Sequence, residues 1–166
     1  MVRNGELAPH PCGVYFQDVP KDPVTGLAAA PYELAEELGC FKVDFLHLTV
    51  YDSFKSRADI QRLVRLEPDW NLLQIPSVVE NLAQVSKHLD ILQQVKPDSV
   101  LELADVQALI RPQKRYLLPL YLKDPTSARR LLYTKEQGDA YAFKKAHAIA
   151  YAYVIVLQLH QVKGTT

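Results

Sequence analysis

The chain has 166 residues, enough to bury a sizeable core in one domain. With 48% hydrophobic and 23% charged residues it belongs with globular proteins, which excludes the disordered and fibrous classes. The formal net charge is zero, which gives no overall attraction to nucleic acid.

The charge is unevenly spread. Residues 1–110 hold 9 Lys/Arg against 16 Asp/Glu, a balance of −7, and residues 111–166 hold 10 against 3, a balance of +7. Either the C-terminal part presents a basic surface, or two oppositely charged faces attract each other within the fold. The two cysteines, Cys12 and Cys40, form no C-x-x-C, so neither a zinc knuckle nor a disulfide framework is indicated. Reduced thiols and no signal peptide fit a cytoplasmic protein. The longest apolar run, "AIAYAYVIVL" (Ala148 to Leu157), is far short of the ~18 residues of a membrane span.

In chain order, residues 1–31 are rich in Pro and Gly around one strand, "CGVYFQ" (Cys12 to Gln17), and a turn, "PKDPVTG" (Pro20 to Gly26). "PYELAEELG" predicts a short helix from Pro31, with Glu33, Glu36 and Glu37, stopped by Gly39. Residues 41–46 alternate as a strand: Phe41, Val43 and Phe45 on one face, Lys42 and Asp44 on the other. Thr49 can cap a helix to about Leu66. Helical segments follow from Pro76 and Ser77, over "SKHLDILQQV" up to Pro97, and over "DSVLELADVQALI". The last has Asp98 or Ser99 as cap and Glu102 near the capping-box position, and it breaks at Arg111–Pro112. "TSARRLLY" predicts one or two turns. The final helix is expected from Asp139 to about Gln161, buried and central because it is apolar nearly all round. The class is α+β and helix-rich, with a small N-terminal sheet over residues 1–66 and a helical region over 67–166, expected to form one structural unit.

Three constellations carry chemistry. Lys42 and Asp44 on one strand face suit phosphoryl transfer, where a carboxylate holds a metal and a lysine neutralises a triphosphate; an edge-strand ion pair is the plain alternative. Lys144, Lys145 and His147 lie in the early turns of an apolar helix, where cations are unfavourable unless an anion docks. Snorkelling lysines and a core histidine are the alternative. Arg111, Lys114 and Arg115 cluster at a helix break and suit a phosphate backbone, or form a solvated basic turn. His88 has no partner at metal-ligand spacing.

The ordered strings "HPCGVYFQDVP", "CFKVDFLHL", "QVSKHLDIL", "DVQALIRP" and "YAFKKAHAIAYAY" together resemble the alpha subunit of bacterial DNA polymerase III, the C-family replicative polymerases, in a reduced, phage-like form. The resemblance covers roughly residues 10–160. It implies that the sheet is part of a polymerase palm and the helical region is fingers-like. Asp44 matches the family's third catalytic aspartate, a ligand of Mg²⁺, and Lys42 the lysine facing the incoming nucleotide. Arg111, Lys145 and His147 match the arginine, lysine and histidine of later motifs.

The sequence departs from the family at His47, Gln113, Lys144 and Ala146, and the arginine-rich fingers segment is largely deleted, with Arg129 and Arg130 as candidate substitutes that do not align with it. No D-x-D occurs. The resemblance therefore implies part of a DNA-directed DNA polymerase, from a split gene or as a fragment. Its partners would be primer–template DNA, deoxynucleoside triphosphates and a second polypeptide supplying the missing carboxylates. Alone it would be inactive. The alternative is a non-catalytic DNA-binding or assembly module.

Overall fold

A computed structural model describes residues 2–3, 6–45, 48–134 and 143–163. The class is α+β and helix-rich, as the periodicities predict. The chain divides into two units, Met1–Tyr51 and Asp52–Thr166.

In the first unit, β1 (Val2–Arg3) and β2 (Glu6–Leu7) form one antiparallel ladder, and β3 (Gly13–Tyr15) and β4 (Lys42–Asp44) form another. The β3–β4 register sets Gly13 opposite Asp44, Val14 opposite Val43 and Tyr15 opposite Lys42. Strand alternation puts Val14 and Val43 on one face and the Lys42/Asp44 pair on the other. Just beyond the strands, Phe16 and Phe45 meet edge to face, with ring centroids 6.3 Å apart.

Helix α1 (Tyr32–Glu37) starts after Pro31 and ends at Gly39, whose φ of +79° explains why the chain turns at a residue without a β-carbon. Val19 and Ala35 are the buried apolar side chains among the described residues of this unit. So little apolar backing supports only narrow ladders. Among the described residues no sheet exceeds two strands, which corrects the expectation of a palm platform. Leu46 of the expected strand and His47 lie outside the described residues.

The expected helix from Thr49 to Leu66 is broken in two. A 3-10 turn spans Thr49–Ser53, and α2 (Arg57–Leu63) begins afresh at Ser56. Ser56 accepts the Asp59 N–H at 3.1 Å and donates its hydroxyl to the Asp59 carboxylate at 3.0 Å, a stronger start signal than Thr49. After a 3-10 turn at Trp70–Gln74 come α3 (Pro76–Val79), α4 (Leu89–Val95) and α5 (Val100–Leu109). Lys96, at φ +49°, ends α4 ahead of Pro97. Ser99 caps α5 by accepting the Glu102 N–H, and the Glu102 carboxylate reaches back to the Asp98 N–H at 3.2 Å.

Helix α6 (Leu118–Lys123), absent from the sequence-based expectation, precedes α7 (Pro125–Leu132), capped by Asp124. Helix α8 (Lys145–Lys163) closes the unit. Its expected start at Asp139 lies outside the described residues, and Phe143 and Lys144 are not helical.

Helices α5 and α8 pack on each other more extensively than any other pair of elements. Ala104 and Ala108 of α5 and Ala148 and Ala152 of α8 are fully buried, and small side chains allow close approach of the two backbones. Leu103, Leu109, Ile155 and Leu159 fill the remaining core, each stabilising by about 1.5–3 kcal/mol through burial. The end of α8 also ties down the start of the unit. Gln161 donates to the Ser53 hydroxyl at 2.5 Å and His160 to the Leu66 carbonyl at 3.3 Å. Ser53 and Leu66 thus belong with the helices of the second unit.

Candidate functional site

On the polar face of β4, Lys42 Nζ lies 3.2 Å from Asp44 Oδ1 and 3.2 Å from His10 Nε2. Asp44 is largely covered, its side chain 14% exposed. His10 Nδ1 accepts the Gly13 N–H at 2.7 Å and the Cys12 N–H at 3.3 Å, and Cys12 Sγ lies 3.8 Å from it. Donor atoms of His10, Cys12 and Asp44 all fall within 4.8 Å of one another. The sequence singles out Lys42 and Asp44 and misses His10 and Cys12. The available signal was the spacing "HPCG" directly ahead of a strand.

This donor set does not fit Mg²⁺. That ion demands near-octahedral oxygen coordination, whereas Asp44 is joined by an imidazole and a thiol. The Lys42–Asp44 contact is also the ion pair that a bare K-x-D on an edge strand predicts.

The second unit distributes its predicted cations differently. Lys114 is buried, 6% exposed, and its ammonium donates to the Leu131 and Thr134 carbonyls at 3.1 and 2.9 Å. It therefore ties off the C-terminus of α7 and is not presented to a phosphate, a correction to the sequence-based expectation. Arg115 pairs with Asp90. The Arg111 guanidinium lies 3.7 Å over the Phe143 ring, just ahead of α8. Lys144 is exposed, and its carbonyl accepts the N–H groups of His147 and Ala148 at the start of α8. His147 itself is half-buried.

Lys145 stands apart from these. It lines an open cleft of about 410 Å³ together with Thr126, Arg129, Arg130, Tyr133 and Thr134. Helix α7 supplies the two arginines and α8 the lysine, so the cleft gathers cations distant in sequence. Arg130 and Lys145 are exposed.

Behind the cleft sits a buried acid that the sequence did not single out. Asp105 of α5 is fully buried, and its carboxylate accepts from Tyr121 Oη at 2.9 Å, Tyr133 Oη at 2.9 Å and Arg129 Nε at 2.7 Å. Burial, reinforced by the Asp105 charge, pushes both tyrosine hydroxyls far above their ordinary range. The hydrogen bond to Asp105 raises the Arg129 guanidinium further above its already high ordinary value. The one signal available in sequence was a lone Asp within the apolar stretch "LADVQALI".

Among the described residues, no helix is long and apolar enough to cross a membrane. Comparison with known protein families, curated proteins and solved structures returns no match. The likeness to C-family polymerases thus rests on the quoted strings alone.

Proposed function

We propose that the chain is a DNA-binding module, non-catalytic by itself, whose helical unit holds backbone phosphates in the Arg129–Arg130–Lys145 cleft. One observation carries this reading: Lys145, picked out at the start of the last helix, shares that cleft with both arginines. Cations crowded at a helix start are unfavourable until an anion neutralises them. Arg129 adds a planar guanidinium whose position is fixed from behind by Asp105.

The test is fluorescence anisotropy of a short primer–template duplex titrated with salt. With roughly three to five phosphate contacts, log affinity falls against log salt with a slope of about −2.7 to −4.5. Arg130→Ala with Lys145→Ala flattens the slope by about 2. Wild-type binding by that double variant sinks the proposal.

A second reading has one supporting observation, the shared face of Lys42 and Asp44 on β4. In it the chain joins a D-x-D polypeptide and takes part in nucleotidyl transfer from deoxynucleoside triphosphates. Purification from the native source, followed by primer extension, decides it. Asp44→Asn then abolishes extension while leaving DNA binding intact. A preparation without a carboxylate-bearing companion, or full extension by Asp44→Asn, eliminates this reading.

A further inference from the structure

We propose that His10, Cys12 and Asp44 form a site for one borderline-soft divalent cation of the Zn²⁺ class. The proposal concerns the first unit alone and stands apart from the nucleic-acid reading.

Three observations carry it. The donors comprise an imidazole, a thiol and a carboxylate, a set suited to Zn²⁺. The imidazole and thiol are spaced close to what the ion needs, and the Asp44 carboxylate lies within 4.8 Å of both. His10 Nδ1 and Cys12 Sγ are 3.8 Å apart, and tetrahedral Zn–N and Zn–S bonds separate the two atoms by about 3.5 Å. Finally, Gly13 leaves the space open. A β-carbon there would stand 2.8 Å from His10 Nδ1, 2.8 Å from Asp44 Oδ1 and 2.7 Å from Lys42 Cδ. The backbone passes directly beneath the converging donors at the one residue that adds no side chain.

The β3–β4 register makes this possible. It sets Gly13 opposite Asp44, while the loop ahead of β3 brings His10 and Cys12 to the same end of the ladder. Nδ1 accepts two backbone N–H groups, so its lone pair is turned toward the Cys12–Gly13 backbone, while Nε2 lies 3.2 Å from the Lys42 ammonium. On binding, the metal takes that lone pair in place of the N–H contacts. The Cys12 thiol gives up its proton to solvent and ligates as thiolate. Three protein ligands leave the fourth position to water.

Lys42 is the competitor. Its ammonium sits 3.2 Å from Asp44 Oδ1 and supplies the positive charge that a metal would bring. Metal binding therefore moves Lys42 off that oxygen.

Titrating the full chain with Co²⁺ at neutral pH tests the site. The expected result is one equivalent bound with a thiolate-to-cobalt charge-transfer band, displaced by Zn²⁺ and not by excess Mg²⁺. Cys12→Ser removes the band, and His10→Ala and Asp44→Asn each weaken affinity at least tenfold. Cys40→Ser changes nothing, and Lys42→Met tightens binding by removing the competing cation. A missing thiolate band in both wild type and Lys42→Met overturns the proposal, with Lys42 as the permanent cation. A band lost with Cys40 and kept without Cys12, or displaced by Mg²⁺, overturns it as well. The Lys42→Met arm keeps the test decisive even if a ligand variant fails to fold, as judged by circular dichroism.

Discussion

Asp105 and Arg129 meet through a single carboxylate oxygen: Arg129 Nε and Nη2 donate to Asp105 Oδ2 at 2.7 and 2.6 Å. Tyr121 shares that oxygen, and Tyr133 takes the other. A fully buried charge survives in the α5 core only because every side of it is answered by a donor. The same contact sets Arg129 at the edge of the basic cleft, so core stability and cleft geometry depend on one carboxylate.

Asp105→Ala leaves a guanidinium and two hydroxyls without their acceptor. The expected loss lies at the lower end of the ~3–5 kcal/mol that breaking a buried pair costs, because Arg129 keeps some solvent contact. Urea unfolding measures it. Asp105→Ala with Arg129→Ala is expected to cost less than the sum of the single changes, since removing the base also removes the stranded charge. Strict additivity contradicts the coupling.

Tyrosine ionisation gives an alkaline signature. The folded-state pKa values of Tyr121 and Tyr133 are raised above the unfolded value, principally by burial. Their contribution is fully present below the unfolded pKa of about 10 and is lost as pH rises above it. Unfolding midpoints should therefore decline beyond pH ~10, and Tyr133→Phe should make that decline shallower. Ultraviolet titration should find these tyrosines protonated after the exposed ones have ionised; simultaneous ionisation of all tyrosines rejects the network.

An acid signature comes from His88. Its pKa is lowered first by desolvation and then by Arg115 and Lys87, with Asp90 opposing. A depressed histidine pKa means that the unfolded chain binds the proton more readily. Stability is thus complete above the ordinary value of about 6.5 and falls as pH drops below it. His88→Gln should flatten stability between pH 7 and 5. An unchanged slope in that variant assigns the acid loss to other groups.

Lys114 separates a structural cation from a ligand-binding one. Lys114→Met removes two hydrogen bonds to the end of α7 and is expected to cost about 1–2 kcal/mol. Its DNA salt slope should match wild type. A flattened slope in Lys114→Met would return this residue to the phosphate-contact set.

Much of the local architecture is written in short-range signals. Ser99 with Glu102 starts α5, Gly39 stops α1, Pro76 opens α3 and Pro97 follows the end of α4, because each acts on backbone hydrogen bonds within a few residues of itself. The two-residue period of a strand likewise puts Lys42 and Asp44 on one face. Which polar groups meet is another matter. Lys114 and Arg130 look alike in the sequence, yet α7 buries the first against carbonyls and leaves the second in the open. Asp105 finds its partners on α6 and α7, and Asp44 finds His10 and Cys12 across the β3–β4 ladder. Those encounters depend on burial and on register between distant segments, and only the folded chain supplies either.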